Sequence, residues 1–117
     1  MADSPAEALQ AKLRLLGEEY VAQLPEKIRQ IELAWDGFMQ SQDSEELQAL
    51  HRMAHGLAGS GATFGFAEFG GAARSLEQKL VELENQGSIA SKEQCAAISS
   101  QIHALHQAIP ATMQSNQ

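Results

Sequence analysis

The sequence predicts an all-α protein, in which an up-down-up-down four-helix bundle follows a short extra helix at the N-terminus. Apolar residues make up 44% of the 117 residues and recur at helical spacing in each long segment. No segment alternates apolar and polar residues as a half-buried strand does. Residues typical of helix caps lie at the segment boundaries. Since a chain of this length builds one modest core, residues 1–117 are predicted to form a single domain.

The N-terminal segment begins with a capping box. Ser4 precedes Pro5 and lies three residues before Glu7, a pattern in which the serine and glutamate side chains each accept from the other's backbone N–H. The apolar positions that follow are Leu9, Leu13 and Leu16. Because Gly17 favours a helix end, we expect a short first helix that stops there and covers the bundle as a lid.

A second helix is predicted over residues 18–40. Its apolar residues repeat at the spacing of an amphipathic helix; they are Leu24, Ile28, Ile31, Trp35 and Phe38. Pro25 allows two interpretations. Either it lies in the first turn of a helix that begins near Leu24, or it kinks a longer helix.

The third helix is predicted to start at Asp43, a residue typical of an N-cap, with Glu46 three positions later. Its expected buried face consists of Leu47, Leu50, Ala54, Leu57 and Gly61. A turn over residues 63–66 should end it, because Gly65 can adopt the left-handed conformation found at helix C-termini.

The last two helices are delimited in the same way. The fourth stops near Gly87, and Ser91 with Gln94 forms the capping pair of the fifth. The expected buried residues are Phe66, Phe69, Ala73, Leu76, Leu80 and Leu83 in the fourth, and Ile98, Ile102, Leu105 and Ile109 in the fifth. Pro110 is expected to end the ordered part of the chain, and we expect residues 110–117 to be a disordered tail.

The net charge excludes some classes of function. A formal net charge of −7 argues against nucleic-acid binding, because phosphate recognition needs a basic surface. It also argues against electrostatic attachment to a membrane.

Cys95 is the only cysteine, which excludes an intrachain disulfide and a cysteine zinc cluster. The N-terminus has no secretory pattern, and no apolar stretch is long enough to span a bilayer. We therefore expect a cytoplasmic protein.

The third helix presents a histidine to solvent. His55 lies about 130° around the helix from the centre of the buried face, so it is not expected in the core. Gly59, one turn later, leaves space beside the imidazole. A glycine inside a helix costs about 1 kcal/mol relative to alanine, yet Gly56, Gly59 and Gly61 fall within a turn and a half. We interpret this stretch as a surface cleared for a large partner.

These residues resemble the signature of the histidine-containing phosphotransfer (HPt) domain of multistep two-component phosphorelays. That signature has a histidine, a leucine two residues later, then lysine and glycine, and a further glycine at the following turn. The matching positions here are His55, Leu57, Ala58, Gly59 and Gly65. Others that fit are Tyr20, Leu24-Pro25, Asp43, Leu50, Ala54, Ala73 and Leu76-Glu77. The resemblance is close over residues 18–86 and rests on length and pattern in the last helix.

The resemblance implies a phosphate shuttle. His55 would accept a phosphoryl group from an aspartate of one receiver domain and pass it to an aspartate of another. The expected partners are receiver domains of response regulators or hybrid sensor kinases, and the receiver would supply the Mg²⁺. We expect this chain to need no cofactor, to bind no ATP and to have no kinase activity. We also expect it to be a monomer. Phosphoryl transfer depends on positioning and charge neutralisation more than on covalent help from side chains.

One position departs from the family signature. The lysine that would place positive charge near the phosphoryl group is Ala58 here. Arg52, three residues before His55, is expected to provide electrostatic support instead. Arg74 and Lys79 on the facing helix are more distant candidates.

The predicted receiver-docking positions are His51, Gly56, Ala58, Gly59 and Ala62. The i, i+4 spacing of His51 and His55 can also hold a metal ion, but no third ligand falls on that face, so no metal site is predicted. Two other functions stay open. In the first, the chain is an adaptor that binds a receiver or another helical protein without relaying phosphate. In the second, it is a plain structural bundle.

Overall fold

The computed structural model describes residues 4–87 and 89–110. They form four helices, α1 (Pro5–Ser41), α2 (Ser44–Thr63), α3 (Ala67–Asn85) and α4 (Lys92–Gln107). Short connections make successive helices antiparallel neighbours. α2 packs between α1 and α3, and α4 closes the bundle against α3 and α1. The predicted all-α, up-down-up-down four-helix bundle is confirmed. Of the predicted disordered tail, residues 111–117 lie outside the described residues.

The predicted helix break at Gly17 does not occur. α1 is a single helix of 37 residues, so the predicted first and second helices are one, and no short helix folds over the bundle as a lid. A glycine inside a helix costs only about 1 kcal/mol. Burial of Gly17, Tyr20 and Val21 against the rest of the bundle offsets that cost. Pro25 lies inside α1 rather than in a first turn.

The N-terminal turns of α1 extend beyond the other helices. At 1.5 Å per residue, α1 is about 55 Å long, whereas α2 and α3 are each about 30 Å long. All described residues before Gly17 are therefore exposed. This includes the leucines of the helix predicted to cover the bundle as a lid: Leu9 at 57%, Leu13 at 52% and Leu16 at 41% exposure. That part of the prediction is wrong because no other helix reaches them.

Three helix starts carry the caps that the sequence predicts. Ser4 and Ser91 each form a complete capping box, with Glu7 and Gln94 respectively. Asp43 caps α2 through the backbone N–H of Glu45, with an N···O distance of 3.0 Å. These caps satisfy N–H groups that a helix leaves without partners.

The core consists of the apolar faces of all four helices. Trp35 on α1 donates its indole N–H to Ser99 Oγ on α4 at 3.0 Å, which satisfies a polar atom of a residue that is only 3% exposed. The largest fully buried side chains are Phe38, Phe69, Leu24, Ile28, Ile31, Leu47, Leu50, Leu76, Leu80, Leu83, Ile98 and Leu105. All twelve belong to the predicted stripes. Two predicted stripe residues, Phe66 and Ile109, are only partly buried, because Phe66 is the N-cap of α3 and Ile109 lies beyond the end of α4.

Two glycines set the close approach of α2 and α3. A Cβ added to Gly61 would lie 3.0 Å from Gly70 Cα, and one added to Gly70 would lie 3.4 Å from the carbonyl oxygen of Ala58. The two backbones therefore touch where a side chain on either helix would separate them. This contact fixes α3 beside the outward-facing part of α2, where the candidate site lies.

Among the described residues, no helix is long and apolar enough to cross a lipid bilayer.

Candidate functional site

His55 projects from the middle of α2 into solvent. Its side chain is 74% exposed, whereas Ala54 and Leu57 on either side of it in sequence are buried. The predicted orientation, far from the buried face of the helix, is confirmed. Because α2 is held between α1 and α3, the imidazole is presented on a rigid element.

Open space surrounds the exposed imidazole on the C-terminal side. A Cβ added to Gly56 or Gly59 would meet nothing within 4 Å, and Ala62 is exposed one turn further on. The Thr63 hydroxyl donates a hydrogen bond to the carbonyl oxygen of Gly59 at 3.0 Å, so the Thr63 side chain stays close to the helix. Gly56, Gly59 and Ala62 thus form a flat strip of backbone and methyl group beside His55. We call these three residues the cleared strip.

Ala58 is not part of this strip, although it was predicted as a docking position. It is only 4% exposed, and its carbonyl lies beside Gly70 at the α2–α3 contact. Three residues correspond to about 300° of rotation, so position 58 lies about 60° around the helix from His55, on the side that packs against α3. The expectation that Ala58 borders the imidazole on the solvent side is wrong for that reason.

Glu77 on α3 holds one nitrogen of the exposed imidazole. His55 Nδ1 lies 2.7 Å from Glu77 Oε2. Since an ionised carboxylate only accepts hydrogen bonds, Nδ1 carries the proton and donates it to Glu77. In the neutral ring the lone pair is then on Nε2. The nitrogen that faces solvent is therefore the nucleophilic one.

The same carboxylate oxygen receives a second contact, from His51. His51 Nε2 lies 3.2 Å from Glu77 Oε2, and His51 Nδ1 lies 2.9 Å from Glu84 Oε1. The His51 side chain is 28% exposed. It was predicted as a docking residue on the open face, but both ring nitrogens are engaged with α3 at the α2–α3 interface. No ring nitrogen of His51 is left for an incoming partner.

The electrostatics of Glu77 follow from these contacts. Burial of the carboxylate raises the pKa of Glu77, but the hydrogen bonds from His55 and His51 lower it by more, so the net pKa is below its ordinary value. Glu77 is consequently ionised at neutral pH, where it accepts the Nδ1 proton of His55 and can also accept from His51 Nε2. Glu77 fits the family pattern in the sequence, but that pattern alone predicts no role for it.

The candidate cations lie on both sides of His55. Arg52 is exposed and lines a groove with Lys27 of α1 and with Gly56. It forms no ion pair within the described part of the chain. Arg74 is exposed on α3, one turn before Glu77, and lines a second groove with Ala58 and Ala62.

The second of these grooves places Arg74 beside position 58. Arg74 was predicted to be a more distant source of positive charge than Arg52, yet it borders the side of α2 where the family lysine would project. Lys79 lines a groove with residues of α4 instead. Arg52 and Arg74 are therefore exposed arginines that line grooves bordered by α2 residues.

Within residues 4–87 and 89–110, no group of three or more His, Cys, Asp or Glu side chains is arranged to hold a metal ion.

Comparison with known proteins identifies the family. A family model of the Hpt domain matches residues 16–111, a range that includes α2, α3, α4 and α1 from Leu16 onwards. The match thus extends through the last helix. Searches of curated proteins and of solved structures found no match. Hpt domains interact with receiver domains and transfer phosphoryl groups in two-component phosphorelays, and this four-helix chain with its exposed His55 belongs to the Hpt domain family.

Proposed function

We propose that the chain relays a phosphoryl group between the aspartates of two receiver domains, with Nε2 of His55 as the phosphoacceptor. The observation that carries the proposal is the His55–Glu77 contact. It leaves an exposed Nε2 lone pair on a ring whose other nitrogen is held at 2.7 Å by a carboxylate. A solvent-facing histidine without this partner would have no fixed tautomer.

In the proposed transfer step, a phosphoryl group moves from the receiver's aspartate to His55. The Nε2 lone pair attacks phosphorus of the receiver's aspartyl phosphate, the bond from phosphorus to the carboxyl oxygen breaks, and the aspartate leaves as a carboxylate. Because Nδ1 keeps its proton, the phosphorylated ring becomes positively charged. The ionised Glu77 balances this charge through its hydrogen bond to Nδ1. Transfer to the second receiver reverses the step.

The surroundings of His55 suit docking of a receiver. The cleared strip of Gly56, Gly59 and Ala62 offers no side chain that would hold a partner away from the imidazole. Arg52 and Arg74 place positive charge on either side of the phosphoryl group. In this proposal the receiver supplies Mg²⁺ and the acidic pocket around its aspartate. A monomeric state and a cytoplasmic location belong to the same proposal.

The test is incubation of the protein with a radiolabelled phospho-receiver and Mg²⁺. We expect label on the wild-type chain that is labile in acid and stable in alkali. His55→Gln should carry none, and His103→Gln, which replaces an exposed histidine on α4, should be labelled like the wild type. Label that survives in His55→Gln, or a wild type that no receiver labels, contradicts the proposal.

One observation favours a second function. Ala58 is a buried methyl group where the family signature has a lysine, which removes one positive charge from the site. The chain would then be an adaptor that binds a receiver through the cleared strip without relaying phosphate. In that case His55→Gln binds a receiver as tightly as the wild type does, while Gly59→Gln does not bind. If the chain is a relay instead, the wild type must take label from a phospho-receiver and His55→Gln must take none.

A further inference from the structure

His51 occupies an unusual position between two carboxylates. Its Nδ1 lies 2.9 Å from Glu84 Oε1 and its Nε2 lies 3.2 Å from Glu77 Oε2. Glu77 and Glu84 are seven residues apart on α3, so they lie on the same face about two turns apart. Their side chains are 20% and 23% exposed. The ring of His51 therefore bridges two partly buried acids from the opposite helix.

The hydrogen-bond inventory of imidazole decides what this bridge requires. A neutral ring has one N–H and one lone pair, so it can donate to only one of two ionised carboxylates, and its lone pair would face the other. The imidazolium ion donates to both. Protonated His51 thus satisfies Glu77 and Glu84 together, and neutral His51 gives up one of the two contacts.

Within the described part of the chain, the hydrogen-bond partners of the His51 ring are both carboxylates. The ionisable groups that touch its ring are Glu77 and Glu84 from α3, and the ring of His55 lies on α2 with its centroid 6.4 Å away. α1 packs on the other side of α2, where Lys27 lines a groove with Arg52. The orientation of Glu77 therefore depends on the two histidines of α2 that share its Oε2 atom.

We propose that His51 is a positioning residue for His55 and acts through Glu77. Anchored at Glu84, His51 holds Glu77 Oε2 at the point where it accepts the Nδ1 proton of His55, and so keeps the Nε2 lone pair of His55 directed at solvent. This inference rests on the proposed relay for its meaning, since a fixed tautomer matters only if His55 Nε2 is the nucleophile. It assigns Glu84 a part in the site although Glu84 makes no contact with His55.

A merely structural role would have a different consequence. If His51 only joined α2 to α3, its loss would lower the free energy of unfolding and leave the tautomer of His55 unchanged. The tautomer is therefore the readout that separates the two roles. It can be measured on the free protein by long-range ¹H–¹⁵N spectra of the imidazole rings, with no receiver present.

The experiment compares wild type with His51→Leu and Glu84→Gln, and uses His103→Leu on α4 as the matched control. Leucine keeps comparable bulk and is a better helix former than histidine, so His51→Leu is expected to fold. Glu84→Gln leaves both histidines and Glu77 in place and weakens only the anchor. In wild type and control we expect His55 to be protonated on Nδ1. In both test variants we expect a mixture of the two tautomers.

Transfer kinetics complete the test. We expect His51→Leu to slow phosphotransfer from a receiver roughly tenfold, by analogy with the loss of a residue that orients a metal-ligating histidine, with receiver binding unchanged. A wild-type His55 tautomer in both His51→Leu and Glu84→Gln overturns the inference. If the two variants show the mixture of tautomers but the wild-type protein takes no label from any receiver, the relay proposal fails, and the control of the His55 tautomer by His51 stands as a property of the free protein.

Discussion

The glycines beside His55 give a prediction that separates stability from docking. A Cβ at position 59 would meet nothing within 4 Å, so Gly59→Ala adds helix propensity and no steric conflict. We expect it to raise the free energy of unfolding by about 1 kcal/mol. A Cβ at position 61 would lie 3.0 Å from Gly70 Cα, a backbone atom that cannot move alone. Overpacking of this kind costs about 1–3 kcal/mol, so Gly61→Ala should be destabilised despite the same gain in propensity.

The assay is urea unfolding followed by circular dichroism, with the three proteins compared at one pH. A single additional variant then tests docking. Gly59→Gln also gains helix propensity, so it should be at least as stable as wild type, but its side chain would project over the cleared strip. We expect it to lose receiver binding and phosphotransfer while it stays folded. If Gly59→Ala is less stable than wild type, or if Gly59→Gln accepts phosphate at the wild-type rate, the assignment of this strip is wrong.

Substitutions at three further positions test other contacts. Ala58→Lys should fold, with its stem in the groove that Arg74 lines, and should lengthen the phosphohistidine lifetime more than Ala58→Met does. Tyr20→Phe should lose about 1 kcal/mol in urea unfolding, because Tyr20 Oη lies 2.6 Å from Ser60 Oγ. Burial raises the pKa of Tyr20, opposed by the Ser60 hydrogen bond, so the wild-type chain should lose stability above about pH 10 more steeply than Tyr20→Phe. The lowered pKa of Glu77 contributes stability above its unfolded pKa, so acid unfolding of Glu77→Gln should show a weaker pH dependence below about pH 4.5.

Local sequence signals predicted the parts of the fold that local physics determines. The capping boxes at Ser4 and Ser91 depend on residues three positions apart, and both form as expected. Gly65 and Gly87, predicted at helix ends, both have positive φ. The break at Gly17 was wrong because tertiary packing of the following residues outweighs the small cost of one glycine in a helix.

The candidate site shows the same division. The position of His55 relative to the buried face of its own helix predicted its exposure correctly. The direction of α3 is not contained in that pattern, so Ala58 was assigned to the wrong side and His51 to the open face. The pairing of His51 with Glu77 and Glu84 depends on the register of α2 against α3. The signal that could have pointed to it is the pair of acids seven residues apart on a helix opposite two histidines four residues apart.

The most direct test of the central claim is the site of phosphorylation on the imidazole. ³¹P–¹⁵N correlation spectra of the ¹⁵N-labelled, phosphorylated protein identify the nitrogen that is bonded to phosphorus. We predict a phosphorus–Nε2 bond at His55, with the proton retained on Nδ1 beside Glu77. Phosphorylation of Nδ1, or of any residue other than His55, would contradict the account.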